Sequence, residues 1–283
     1  MPAESVRLGD VLGEATRLIG RVDARVLLCH VLGCKASHLI AHDCDLLDVE
    51  QRRRFDALVA ARASGQPVAY LVETREFYGR PFRVNASVLI PRPETELIVD
   101  LARDLYASAA PGRILDLGTG SGALAVTLAC EWPAAEVFAV DASVSALEVA
   151  RGNARALGAN VHLIESDWYA ALNGFPRFDL VVSNPPYIRE RDPHLSEGDV
   201  RFEPIRALAS GVDGLTDIRQ IIFGASAHLV SGGWLLLEHG YDQAADVRAL
   251  LVQGGFREVN SWRDIADIER ITGGRLDGSG PRA

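Results

Sequence analysis

Residues 113–131 read RILDLGTGSGALAVTLACE: an apolar strand, a glycine-rich turn and an apolar helix in direct succession. The turn runs Asp116-Leu117-Gly118-Thr119-Gly120-Ser121-Gly122-Ala123. Glycine lets a chain bend tightly and lets a ligand come close to the helix N-terminus that follows. The alternation continues outward. EVFAVD (136–141), NVHLIES (160–166), DLVVSN (179–184) and WLLLEH (234–239) are strand-like, and FREVNSW (256–262) is β-prone. SALEVARGNARAL, LTDIRQIIFGASAHLV and AADVRALLVQGG between them are helix-like, and IERITGGR (268–275) ends the series. Apolar strands alternating with amphipathic helices predict an α/β domain with a doubly wound, mostly parallel sheet covered on both faces.

Upstream the pattern changes. Leu8, Val11, Leu12, Ala15, Leu18 and Ile19 recur at helical spacing. Asp23 is a candidate cap for a second helix from Ala24 to Leu32, closed by Gly33. Asp48 with Gln51 forms a capping box for a third helix that ends at Gly65. No strand pattern appears there, so a small helical bundle is expected over 1–72. VAYLVE, FYGRPF and SVLI are short, β-prone and broken by Gly79, Pro81 and Asn85, which reads as a hairpin linker over 73–90. The second domain then spans 91–283, with Pro93 in the first turn of its opening helix. The tail LDGSGPRA (276–283) reads as disordered.

Composition narrows the function. The chain has 283 residues, 48% hydrophobic and 24% charged, the range of a globular protein with a full core. A net charge of −9 argues against a protein that holds nucleic acid by neutralising phosphates, so no direct nucleic-acid partner is expected. No apolar run reaches the roughly 18 residues of a membrane span, and MPAESVRLGDVLGE lacks a signal-peptide pattern. A cytoplasmic monomer is the expectation. Lys35 is the one lysine, in LGCKASH, which disfavours P-loop and Schiff-base chemistry. Cys29, His30, Cys34, His38, His42 and Cys44 cluster in sequence but contain no C-x-x-C pair, so no metal site is expected.

Two segments carry the chemistry. Asp141 ends the strand after the glycine loop, about 20 residues on, where an acid can accept both ribose hydroxyls of a nucleoside cofactor. Gly118-x-Gly120-x-x-Ala123 also satisfies a dinucleotide fingerprint, which keeps a dehydrogenase in view. The fourth strand runs into Asn184-Pro185-Pro186-Tyr187. Two prolines remove two backbone donors and stiffen the chain. The Asn184 side-chain carbonyl, the backbone carbonyls of Asn184 and Pro185, and the Tyr187 face then suit a planar, neutral NH2 group. No charged base lies in the motif, which fits an amide or aromatic amine better than an ammonium.

With Asp116 the loop reads D-x-G-x-G-x-G and resembles the S-adenosylmethionine loop of class I methyltransferases. That resemblance implies a Rossmann-like seven-stranded sheet. It makes Asp116, Gly118, Thr119, Gly120, Ser121, Gly122 and Asn184 cofactor neighbours and Asp141 the ribose acid. Asp167 and Trp168 become the adenine wall, although Trp168 also reads as core packing. REFYGRPFRVNASVLIPRPETE, DLGTGSGA, SNPPYI, EGDVRFEPIRAL and GGWLLLEHGYDQ together resemble the release factor glutamine methyltransferases, the HemK/PrmC family. The resemblance spans nearly the whole chain and is weakest before residue 65. It implies methylation of the Gly-Gly-Gln glutamine of class I peptide release factors at N5, with S-adenosylhomocysteine as product. Asn184, Pro185, Pro186 and Tyr187 would hold the substrate, with Asn184, Pro185 and Tyr187 catalytic. A sister family acts on a ribosomal protein, and its counterpart of Pro91-Arg92-Pro93-Glu94-Thr95 differs, which favours the release factor. A nucleobase amino-methyltransferase is the other alternative. Arg92, Glu94 and Thr95 either edge the cofactor site or simply favour a helix start. His239 reads as structural or substrate-lining. Asp192, His194, Glu197, Asp199, Arg201 and Glu203 form a charged loop, solvated or facing the substrate.

Overall fold

The computed structural model describes residues 6–277; the first five residues of the stretch read for a leader and the tail beyond Asp277 lie outside them. The chain clusters into two units, one running to Thr74 with Gly198–Phe202, the other holding Arg75–Glu197 and Glu203 onward.

The first unit comprises β1 (Val6–Arg7), α1 (Leu8–Ile19), α2 (Arg21–Leu32), α3 (Ala36–Ala41), β2 (Leu46–Leu47), α4 (Val49–Ala63) and α5 (Val68–Leu71). Leu8, Val11, Leu27, Leu28, Phe55 and Val59 form its core. The Asp48 carboxylate accepts from the Gln51 backbone N–H at 2.7 Å and Gln51 Oε1 accepts from the Asp48 N–H at 3.2 Å, the expected capping box. Gly33 closes α2 at φ 62°. Three expectations change. The second helix starts at Arg21, so Asp23 lies in its first turn and does not cap it. β1 and β2 pair antiparallel, Val6 with Leu47, too short to leave a period-two trace. VAYLVE, β-prone by composition, forms the helical turn α5 behind Pro67. Arg62 holds the returning segment, donating to Asp23 and to Asp199 at 2.7 Å each.

From Arg75 the second unit takes in the hairpin of β3 (Thr74–Phe77, its first residue still in the first unit) and β4 (Arg80–Arg83), then α6 (Glu96–Leu105) after a 3-10 turn, Pro93–Thr95. There follow β5 (Arg113–Leu117), α7 (Ala123–Glu131), β6 (Glu136–Asp141), α8 (Val144–Ala156), β7 (Val161–Glu165) and β8 (Phe178–Ser183). The chain ends in α9 (Thr216–His228), β9 (Leu229–Glu238), α10 (Ala244–Gln253), β10 (Phe256–Arg263) and β11 (Glu269–Leu276). SVLI is not a strand.

Among the described residues one sheet has seven strands, in the order β10-β11-β9-β8-β5-β6-β7. β11 runs antiparallel to both its neighbours, and the other pairings are parallel. Both faces are apolar. Ile114, Leu180, Val182 and Leu236 pack with α6 and α7, while Leu115, Leu117, Val181, Leu235 and Leu237 pack with α9 and α10. By the two-residue alternation of strands, Asp116 and Glu238 share the face of Ile114 and Leu236. Polar side chains at these strand ends therefore point toward the layer in which α6 begins.

The hairpin is more than a connection. Phe77 and Phe82 are fully buried in the core of this unit, edge to face at 6.0 Å. Replacing Phe82 by Ala should cost about 3–5 kcal/mol in denaturant unfolding. A loss under about 1 kcal/mol would mean that Phe82 does not anchor the hairpin in this core.

Candidate active site

β5 lies between β6 and β8, so the chain crosses over in opposite directions on its two sides and a crevice opens at the strand ends. The glycine loop fills one lip. Gly118, Gly120 and Gly122 all have positive φ, at 70°, 54° and 82°. Gly118 and Thr119 donate backbone N–H bonds to the Val140 carbonyl at 2.9 Å each. A Cβ on Gly122 would stand 3.1 Å from the Ala150 Cβ. Asn153, buried in α8, donates to the Ser121 carbonyl at 2.8 Å and to the Arg83 carbonyl at 3.0 Å, tying the loop to the hairpin. Sequence reading missed Asn153, because nothing in GNARAL marks a buried amide.

The Asp116 carboxylate shapes the loop from inside. Its Oδ2 accepts from Thr119 Oγ1 at 2.6 Å and from the Ala125 N–H at 3.2 Å. Its Oδ1 is buried with no partner among the described residues. Burial pushes this carboxyl up to about 7. Asp141 accepts from the N–H groups of Gly120 and Ser143, both at 2.9 Å, so it helps build the loop. Burial raises its pKa as well. Each of its oxygens keeps a second lone pair. Trp168, at φ 46°, packs against the core, and its ring edges Gly118, where a Cβ would come within 3.3 Å. Asp167 beside it is exposed.

The other lip is Asn184-Pro185-Pro186-Tyr187. Ser183 Oγ donates to the Leu117 carbonyl at 2.7 Å, which sets Asn184 directly across from the glycine loop. Asn184 Nδ2 donates to Thr95 Oγ1 at 3.0 Å, and Thr95 Oγ1 donates to Glu238 Oε2 at 2.6 Å. The Tyr187 hydroxyl donates to Glu238 Oε1 at 3.1 Å. Burial, with Glu238 beside it, raises the Tyr187 phenol far above neutrality, so it stays a donor. The Tyr187 backbone is fixed too, by its N–H on the Leu208 carbonyl and by Gln243 Nε2 on its own carbonyl at 3.0 Å. Asn184 Oδ1 alone is left: buried, with no partner among the described residues. A buried acceptor without a partner is costly and uncommon.

Thr95 and Glu238 are what sequence reading did not assign. Thr95 is buried and bonded to both Asn184 and Glu238, which takes it beyond a residue that merely favours a helix start. Arg92 instead pairs with Glu203 at 2.5 Å. Glu203 is itself buried and also accepts from the Ile90 N–H, so it is not part of a solvated loop. An acid at a strand's carboxyl end, as in LLLEHG, was the available signal for Glu238. His239 is buried with both ring nitrogens engaged, by the Gly240 carbonyl and Thr272 Oγ1. Burial lowers its pKa, so it is neutral and structural. In the Cys/His stretch, the ligand atoms that converge within 4.8 Å are those of His38, His42 and Asp45, with no cysteine among them.

Residues 95–198 match the family of the methyltransferase small domain, and residues 10–72 match the PrmC N-terminal domain. A release factor glutamine methyltransferase of Burkholderia pseudomallei is 54% identical over 91% of this chain and 92% of its own length. The chain belongs to the release factor glutamine methyltransferase family. The Escherichia coli enzyme of this family is 46% identical over 90% of the chain and 92% of its own length. A solved methyltransferase from Pyrococcus furiosus shares the fold at TM-score 0.54 and 16% identity, covering 78% of this chain and 98% of that one. Among the described residues of this family member, no helix is long and apolar enough to cross a membrane.

The loop geometry separates two glycines. Gly120→Ala meets open space and should cost about 1–2 kcal/mol for its left-handed backbone alone. Gly122→Ala adds the collision with Ala150 and should cost about 1–3 kcal/mol more in denaturant unfolding. Equal losses would mean that α8 does not hold the loop.

Proposed function

We propose that this protein transfers the methyl group of S-adenosylmethionine to the side-chain amide nitrogen (N5) of the glutamine in the Gly-Gly-Gln motif of class I peptide chain release factors, leaving S-adenosylhomocysteine. The observation that carries this reading is Asn184 Oδ1, a buried acceptor with no partner, at the mouth of the switch-point crevice.

The residues present fit the cofactor. Three glycines in left-handed conformation give the close backbone approach it needs, and the unpartnered Asp116 Oδ1 lies under the same loop. Gly118, Thr119, Gly120, Ser121 and Gly122 would hold its amino-acid end, with Asp116 beneath. Asp141 would accept from the ribose, and Asp167 with Trp168 would border the adenine. Bound there, S-adenosylmethionine supplies a sulfonium methyl as the electrophile.

The protein's own part is to hold the nucleophile. A glutamine amide is planar, and its nitrogen lone pair is delocalised into the carbonyl. Asn184 Oδ1 and the Pro185 carbonyl accept its two N–H hydrogens, and Tyr187 packs against its plane, with Pro186 stiffening the wall. These acceptors gain most as the nitrogen turns tetrahedral and positive, so they favour the transition state over the bound substrate. With the amide so held, its nitrogen would take the methyl group while the sulfur kept the bonding electron pair, and the nitrogen would then shed one proton. No base is needed before attack. The relatives named as release factor glutamine methyltransferases support this substrate over a ribosomal protein or a nucleobase.

Labelled methyl should pass from S-adenosylmethionine to purified release factor, and not to duplex DNA. Asn184→Ala should lower kcat by about 100–1000-fold while cofactor affinity changes little. Label on DNA would move the assignment to a nucleobase, and full turnover by Asn184→Ala would remove Asn184 from the chemistry.

A further inference from the structure

We propose that Thr95 and Glu238 are positioning residues: a directional hydrogen-bond relay, Asn184 to Thr95 to Glu238, fixes which end of the Asn184 amide faces the reacting nitrogen. The inference rests on the amide-methylation reading and deepens it.

Direction comes from what each group is able to donate. An ionised carboxylate only accepts. The Thr95 hydroxyl has one hydrogen, and at 2.6 Å from Glu238 Oε2 that hydrogen is spent on the carboxylate. Thr95 Oγ1 can then meet Asn184 only as an acceptor, so it takes the amide end, Nδ2, at 3.0 Å. Oδ1 is thereby left pointing away from the relay with no partner among the described residues. Turning the amide over would set two acceptors against each other at Thr95 and present N–H hydrogens to a substrate that itself offers N–H hydrogens. The same carboxylate receives the Tyr187 hydroxyl on its other oxygen. One buried side chain therefore orients both ends of the Asn-Pro-Pro-Tyr segment. None of the three polar partners makes this arrangement by sequence proximity: Thr95 and Asn184 stand 89 residues apart, and Thr95 and Glu238 stand 143 apart.

Protonation of Glu238 reverses the logic. A neutral carboxyl can donate to Thr95 Oγ1, which frees the Thr95 hydrogen for Asn184 Oδ1 and favours the turned amide. The groups that set its charge are its burial first, then Glu94, which disfavours the anion, against Thr95, Tyr187 and Arg270, which favour it. Arg92 and Arg270 act on the neighbouring Tyr187.

The test combines turnover on release factor with the side-chain NH2 signals of Asn184 in nitrogen-15 spectra, assigned by their loss in Asn184→Asp. Thr95→Val keeps the shape and removes the hydroxyl. Its kcat should fall roughly 10–100-fold, the scale for losing a group that supports a functional one. KM for release factor and cofactor affinity should stay within about threefold, a far smaller change than that loss. Thr95→Ser should recover most of the lost kcat. In the wild type the Asn184 NH2 signals should shift with a midpoint near pH 7, where burial sets Glu238, and kcat should rise through the same range. Both transitions should vanish in Glu238→Gln, and the signal shift should vanish in Thr95→Val. Wild-type kcat in Thr95→Val, or an Asn184 titration unchanged in Glu238→Gln, would overturn the relay. The two readings separate cleanly: an inactive wild type strikes the proposed substrate, whereas the NH2 titration tests the relay without any turnover.

Discussion

The parallel pairing of β5 with β8 is the constraint from which the site follows. It sets Leu117 opposite Ser183, and the Ser183 hydroxyl locks that register on the Leu117 carbonyl. A slip of one residue would turn every side chain of β8 to the other face, burying Asn184 on the wrong side of the sheet. With the register held, the last residue of β5 leads into the glycine loop and the last residue of β8 leads into Asn184. Two segments 66 residues apart in sequence thus become the two lips of one crevice.

The same alternation explains why the polar network sits where it does. β8 and β9 are neighbours, with Ser183 opposite Leu237, so Glu238 ends its strand one step from Asn184. The layer on that face begins at the turn carrying Thr95. Burying a carboxylate is expensive unless its oxygens are bonded. Glu238 meets that cost with Thr95 and Tyr187, and Asp116 with Thr119 and the start of α7. In each case one buried oxygen remains over, Asn184 Oδ1 on one lip and Asp116 Oδ1 on the other. A fold that satisfies so many neighbouring groups leaves these two where a ligand would have to meet them.

What could be read from the sequence was what is local. The glycine loop, the Asn-Pro-Pro-Tyr segment and the strand–helix alternation are contiguous patterns with a direct conformational meaning, and the α/β sheet follows from them. Asn153, Thr95, Glu203 and Glu238 were not assigned because each acquires its partner from a distant segment. Only the sheet order brings those segments together. The hairpin itself was legible, since Gly79 and Pro81 announce its turn, but nothing in FYGRPF says that Phe77 and Phe82 will fill the core of the second unit. Short elements fared worst, since the two-residue pairing of β1 with β2 and the single turn α5 are below the length at which periodicity carries information.

In the proposed reaction the nucleophile held at Asn184 is a glutamine amide. Tandem mass spectrometry of a release factor after reaction with the enzyme and S-adenosylmethionine tests it most directly. One methyl group should be added, on the side-chain nitrogen of the Gly-Gly-Gln glutamine, and none when that glutamine is replaced by alanine. A methyl group on a lysine, a carboxylate or the backbone of the release factor, or one that survives the alanine replacement, would contradict it.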